Sequence, residues 1–127
     1  MTAVALGDRI WLIGGRWIRN LPTVEAYDPA RYAWTSEPDL PFARGGLTAA
    51  VLDGRIHVTG GENLNGGGTY GEHDVFDPTV GRWARAPDLP TSRHGLGSGV
   101  VGDAWIVAGG GTAAGLSISG TVEVYRP

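Results

Sequence analysis

The sequence predicts an all-β chain built from small repeated units, and three observations predict it. Paired glycines close three short apolar runs, at Gly14-Gly15, Gly60-Gly61 and Gly109-Gly110. Aromatic residues recur at a fixed step of 49 residues, at Tyr27, Phe76 and Tyr125. Apolar and polar residues alternate over short stretches between Gly, Pro, Asn and Asp, which is typical of half-buried strands and their turns. A period of about 50 residues indicates an array of β units that cannot bury their faces alone.

Four strands fit each unit. In the complete middle unit we expect them at about 47–52, 55–60, 71–76 and 82–86. Asp53-Gly54 predicts a tight hairpin turn between the first two strands, and Asp103 marks the corresponding hairpin of the third unit. Residues 77–81, with Asp first, Pro second and Gly last, suit a type I turn between the last two strands. No helix longer than one turn is expected.

These ordered motifs resemble the Kelch repeat, whose units end their second strand in a double glycine and place a Tyr and a Trp in the third and fourth strands. The match covers essentially the whole chain and is carried by Gly14-Gly15, Tyr27, Trp34, Arg44, Gly60-Gly61, Phe76, Trp83, Arg93, Gly109-Gly110 and Tyr125. Phe76 stands where a Tyr is usual, so a hydroxyl hydrogen bond made there in relatives is missing. The resemblance implies β-propeller blades, which are four-stranded sheets radiating from a central channel.

Aligning the repeats divides the chain into blade 1 (1–41), blade 2 (42–90) and an incomplete blade 3 (91–127) without its Trp-bearing strand. Closed propellers typically have about four to eight blades, so the outer faces of such a stack would be open. Two explanations remain: the chain is part of a longer propeller, or a homodimer closes a six-bladed ring. The longer chain is favoured, because a dimer would leave the strand at 121–125 as an unprotected edge.

Several recurring residues have structural explanations. Trp34 and Trp83, on the fourth strands, are expected to pack between adjacent blades. Arg44 and Arg93 are expected to bind backbone carbonyls where blades meet, with an anion at the channel mouth as the alternative.

Composition excludes several function classes. The net charge is −3 with acids and bases interspersed, so we expect neither nucleic-acid nor membrane binding. Residues 1–20 lack the pattern of a secretion signal. The chain has no cysteine, which excludes disulfides, thiol nucleophiles and thiolate metal sites and fits a cytoplasmic location. No cofactor is expected.

The sequence specifies no catalytic group. His57, His73 and His94 do not have a metal-ligand spacing. His57 is expected to fill a strand position, whereas His73 and His94 precede strands and could face a ligand. Among enzymes with Kelch-like propellers, copper radical oxidases fit poorly, since their tyrosine cofactor is crosslinked to a cysteine. The sialic acid mutarotase type needs only placed acids, bases and an Arg, and Glu62 and His94 would be its first candidates.

The loops after the double glycines are the expected partner surface, because loops vary freely on a rigid propeller frame. They span 16–22, 62–70 and 111–120. The first carries Trp17 between arginines, a composition enriched at interaction hot spots, although Trp17 could instead fold back onto the neighbouring blade. The third loop is small and nearly featureless. Capture of acidic peptides is not expected, because Gly46 and Gly95 stand where Kelch propellers of that kind carry arginines.

We therefore predict a non-enzymatic binding scaffold for a protein or a carbohydrate, with a sugar-modifying enzyme as the alternative. The candidate binding residues are Arg16, Trp17, Arg19, Glu62, Asn63, Asn65, Tyr70 and His94; no metal ligand is predicted. Arg, Glu and His converging around a pocket would favour the enzyme, whereas a broad face with Trp17 exposed would favour partner binding.

Overall fold

A computed structural model describes all residues, 1–127, as eleven strands without a helix. Blade 1 contains β1 (Thr2–Leu6), β2 (Arg9–Ile13), β3 (Val24–Asp28) and β4 (Ala33–Glu37). Blade 2 contains β5 (Thr48–Leu52), β6 (Arg55–Thr59), β7 (His73–Asp77) and β8 (Arg82–Ala86), and blade 3 contains β9 (Gly97–Val101), β10 (Ala104–Ala108) and β11 (Val122–Tyr125). Each sheet is an antiparallel meander in chain order. The predicted all-β fold, with three blades of which the last has three strands, is confirmed.

Turn chemistry sets the hairpins between the strands. Asp53 and Gly54 have φ of 48° and 71°, so both central residues of the β5–β6 turn are left-handed, as a type I′ turn requires. Strand β7 begins at His73, two residues later than expected. Gly71 instead accepts a hydrogen bond from the Leu89 amide at 2.8 Å, which ties the strand start to the segment after β8.

The first seam, between blades 1 and 2, is an apolar core. The buried side chains come from facing sheets, with Trp11, Ile13, Val24 and Ala26 on blade 1 and Ile56, Val58 and Phe76 on blade 2. The rings of Trp11 and Phe76 lie 5.5 Å apart. Because neither sheet could bury this surface alone, the repeats stabilise one another.

The second seam, between blades 2 and 3, contains a buried histidine pair. His57 and His73 occupy the repeat positions that Trp11 and Val24 hold in the first seam, and both are buried. His57 Nδ1 lies 2.9 Å from His73 Nε2, and His73 Nδ1 lies 3.1 Å from the Pro87 carbonyl oxygen. One tautomer satisfies this chain: His73 donates to Pro87, and His57 donates to His73. The expectation that His73 faces a ligand is therefore wrong.

The double glycines join neighbouring blades through the backbone. The Gly15 and Gly61 amides donate to the Arg44 and Arg93 carbonyls at 3.1 Å and 2.9 Å. Gly61 has a φ of 119°, and a Cβ there would lie 3.0 Å from the Gly45 carbonyl oxygen. The backbone conformation and the close approach both require glycine.

Arg44 and Arg93 are wholly buried and bind backbone carbonyls, as expected. Arg44 donates to the Glu72 carbonyl at 2.9 Å, and Arg93 donates to those of Gly109 and Thr121 at 2.6 Å and 2.9 Å. Each also pairs with a carboxylate on the third strand of its blade: Arg44 with Asp74 at 2.6 Å, and Arg93 with Glu123 at 2.7 Å. These carboxylates satisfy the buried guanidinium charges.

The two strand-four tryptophans differ. Trp83 packs in the first seam, where its Nε1 donates to the Pro38 carbonyl at 2.8 Å and its ring lies 5.2 Å from Phe76. Trp34 stacks on Tyr27 but is 53% exposed, so its expected packing between blades is wrong for this structure. The reason is directional: each tryptophan packs on the preceding blade, and in this chain blade 1 follows none.

Candidate functional site

The three loops that follow the double glycines lie at one end of the blades, together with the connections into β5 and β9. We call this surface the loop face and its loops L1 (16–22), L2 (62–70) and L3 (111–120). L1 is closed by a bridge between Arg16 and Asn20 and by a 3.0 Å hydrogen bond from the Trp17 amide to the Arg19 carbonyl. Trp17 and Ile18 at its tip are 84% and 87% exposed. The alternative in which Trp17 folds back is therefore wrong.

Glu62 joins all three loops. Its side chain is buried, and Oε1 accepts a hydrogen bond from Arg16 Nη1 of L1 at 2.5 Å. Oε2 accepts from the Gly115 amide of L3 at 2.7 Å, and its backbone carbonyl accepts from Asn20 Nδ2 at 2.7 Å. One carboxylate thus fixes the loops of three successive blades relative to one another.

The surroundings of Glu62 keep it ionised. Burial by itself raises the pKa of this carboxyl. The hydrogen bond from the Gly115 amide, the ion pair with Arg16 and the nearby His94 ring outweigh burial, and the pKa falls below its ordinary value. The carboxylate therefore retains its charge, and its contacts with L1 and L3, throughout the neutral range.

His94 lies beside this carboxylate. Its Nδ1 is 3.5 Å from Glu62 Oε1, its Nε2 donates to the Ala113 carbonyl at 3.0 Å, and its backbone exchanges two hydrogen bonds with Gly111. The structure thus brings together three predicted residues from separate blades: Arg16, Glu62 and His94. The larger cavities are lined by other residues, so this cluster is a packed junction rather than the wall of a pocket.

The other predicted residues do not join this junction. Asn63 Oδ1 accepts from the Asn65 amide at 3.0 Å, so Asn63 shapes L2 while Asn65 is exposed. Tyr70 is half-buried, with its ring edge-on to Phe42 at 5.0 Å. Arg19 is exposed at the tip of L1, where it lines a shallow depression with Trp17, Ile18 and Leu21.

Sequence reasoning missed part of the loop face. L3 is not featureless: Leu116 and Ile118 are almost completely exposed and belong, with Trp17 and Ile18, to the most exposed large apolar side chains of the molecule. The available signal was two large apolar residues alternating with serines in a loop otherwise made of small residues. Asn20 was also missed, because its contact with Glu62 depends on how blades 1 and 2 pack.

The structure shows no group of three or more His, Asp or Glu side chains that could hold a metal ion. It also contains no helix that is long and apolar enough to cross a membrane.

Four-stranded antiparallel meanders packed side by side, with β1 beside β5 and β5 beside β9, are blades of a β-propeller. A family model for the Kelch motif matches residues 1–41, which span blade 1. The chain belongs to the Kelch-repeat family, which confirms the resemblance seen in the sequence.

Relatives from three animals carry the same name. The chain is 33% identical over 66 residues to Kelch-like ECH-associated protein 1B of Danio rerio and 33% identical over 69 residues to Kelch-like protein 35 of Mus musculus. It is 38% identical over 61 residues to Kelch-like protein 33 of Homo sapiens. These matches cover 52%, 54% and 46% of this chain but only 11% of each relative.

Proposed function

We propose that this chain is a non-enzymatic binding scaffold that recognises a protein partner through the loop face. The observation that carries the proposal is the junction at Glu62. It holds three loops in one arrangement, and two of those loops present large apolar side chains to solvent.

The exposed apolar side chains support a protein partner. Trp17 and Ile18 come from L1, and Leu116 and Ile118 come from L3. Apolar side chains grouped in this way mark interaction sites when they share one face. The loops that bear them are already fixed through Glu62, so little conformational entropy is lost when a partner binds.

Charge adds a preference. Arg19 is exposed beside Trp17, whereas the charge of Arg16 is compensated by Glu62. The complementary partner surface is therefore apolar at its centre, with an acidic group placed to meet Arg19. The name of the Danio rerio relative describes association with another protein, which is consistent with a binding role.

The test compares partner capture by two double or single variants. Trp17→Ala/Ile18→Ala removes the tip of L1, and Val80→Ala removes an exposed apolar side chain from the turn at the opposite end of the blades. Proteins crosslinked to the wild type and to Val80→Ala, but lost with the L1 variant, would support the proposal. A set of captured proteins that is the same for all three would contradict it.

The alternative, a sugar-modifying enzyme of the mutarotase type, is favoured by the convergence of Arg16, Glu62 and His94. Against it, both carboxylate oxygens of Glu62 are occupied within the protein, and Trp17 stands exposed on a broad face. Saturation-transfer NMR with free sugars separates the two: exchange between anomers accelerated by the wild type and abolished by Glu62→Gln would establish the enzyme.

Assembly is a separate proposal. The outer face of blade 1 exposes Ile10 and Trp34, and the outer face of blade 3 exposes Val101, Val122 and Val124. Apolar faces of this kind need a neighbouring blade, from further sequence or from a second copy that closes a six-bladed ring. Sedimentation distinguishes them: a compact dimer supports the ring, aggregation supports a longer propeller, and a stable monomer contradicts both. The cytoplasmic location stays a prediction.

A further inference from the structure

Strand β11 ends the third sheet with one edge free. It pairs with β10 only, whereas the third strands of the other blades, β3 and β7, pair on both sides. Free backbone N–H and C=O groups along such an edge can hydrogen-bond to an added strand.

The two complete blades show what the corresponding edge holds. In blade 2, Trp83 of β8 lies opposite Phe76 of β7, with ring centroids 5.2 Å apart. In blade 1, Trp34 of β4 lies opposite Tyr27 of β3 at 4.9 Å. Tyr125 is the repeat counterpart of both residues on β11, and its outer side has no cross-strand aromatic. Such pairs stabilise antiparallel strands beyond simple burial.

A cavity of about 690 Å³ lies beside Tyr125. Its apolar and aromatic lining comes from the side of blade 2 that faces blade 3 and from the end of the chain: Leu52, His57, Val75, Ala84, Ala86, Tyr125 and Pro127. In the first seam Trp83 fills the corresponding space and donates to the Pro38 carbonyl. Pro87 is the repeat counterpart of Pro38 and lines this cavity, so the space matches a tryptophan-bearing outer strand.

Charge specifies a second position. In blade 2 the Asp74 carboxylate pairs with Arg44 at 2.6 Å and with Arg85 of the outer strand at 3.5 Å. Glu123, its counterpart on β11, pairs with Arg93 and has no cation on the outer side. Arg85 comes two residues after Trp83. A strand that matches β11 would therefore carry an aromatic residue, a small residue and then a basic one.

We propose that the free edge of β11 binds an extended segment of another protein with this aromatic–small–basic pattern. The segment runs antiparallel to β11, its aromatic side chain lies opposite Tyr125 and fills the cavity, and its basic side chain reaches Glu123. This edge lies on the outer rim of blade 3, away from the loop face, so the inference does not depend on the proposed function.

The probe is a fluorescein-labelled peptide with the sequence of residues 79–88, which contains Trp83-Ala84-Arg85. Its fluorescence anisotropy is titrated with the full 127-residue chain. We expect saturable binding that weakens by about tenfold or more when the peptide carries Trp83→Ala. Hydrogen exchange should slow at residues 122–125 of the protein when the peptide is bound.

Two protein variants locate the site. Ala84→Arg places a long charged side chain in the cavity from an exposed position on β8 and should abolish binding. Ser36→Arg makes a similar change at an exposed position on β4, outside the cavity, and should leave binding unchanged. Circular dichroism checks that both variants remain folded.

Three results would overturn the proposal. The first is no saturable binding, and the second is binding that is unaffected by the peptide Trp83→Ala change. The third is self-association of the chain that Ala84→Arg removes, since that would assign the edge to a second copy instead.

Discussion

Acid should weaken the second seam, and the buried histidine pair sets the direction. Burial, the neighbouring His73 and Arg55 lower the pKa of His57 from 6.5 to about 4, and burial lowers that of His73. As the pH falls, the unfolded chain binds these protons before the folded chain does. The stability that the neutral pair contributes is therefore complete above about pH 6.5 and is lost as the pH falls toward 4.

The magnitude follows from the pKa difference. For His57, a fall from 6.5 to about 4 corresponds to about 3 kcal/mol over the full window. About 2 kcal/mol of this should be lost between about pH 7.5 and about pH 5. Structurally, protonation of either ring would place two N–H donors against each other across the 2.9 Å between His57 Nδ1 and His73 Nε2.

Urea unfolding followed by tryptophan fluorescence between about pH 7.5 and about pH 5 measures this loss, above the range in which unfolded carboxylates bind protons. His57→Gln should flatten the dependence of the free energy of unfolding on pH. His94→Gln, a matched change on the loop face, leaves the pair intact and should retain the wild-type slope. If His57→Gln and the wild type lose stability equally, the pair does not control the acid response.

Three further predictions concern stability, each measured by urea unfolding at neutral pH. Trp83→Ala should lower the free energy of unfolding by about 2 to 3 kcal/mol, whereas the exposed Trp34→Ala should lower it by less than about 1 kcal/mol; equal effects would mean that seam packing does not distinguish them. Arg44→Met should cost about 3 to 5 kcal/mol by leaving Asp74 buried beside an apolar chain, and Arg44→Met/Asp74→Leu should recover most of that loss. A double variant as unstable as the single one would refute this cause. Gly61→Ala should cost about 2 kcal/mol because its φ of 119° is strained for alanine, while Gly68→Ala, with open space around it, should stay within about 0.5 kcal/mol; similar losses would argue against backbone strain.

The repeat pattern was sufficient to predict the blades. Strand positions, the Asp53-Gly54 turn and the carbonyl contacts of Arg44 and Arg93 follow from local periodicity and turn chemistry, which act over a few residues and are visible in sequence. The loops of the binding surface could be located in the same way, because they follow the double glycines. Their conformations could not, since Trp17 was equally compatible with an exposed and a folded-back position.

Tertiary structure decided the contacts between blades. Glu62 was a candidate from its position in L2, but its bonds to Arg16 and Gly115 join residues 46 and 53 positions away. The pairing of His57 with His73 and the exposure of Trp34 likewise depend on which blade faces which. Sequence periodicity determined what each blade is because a blade is a local unit, whereas the seams and the loop face arise only when the blades pack together.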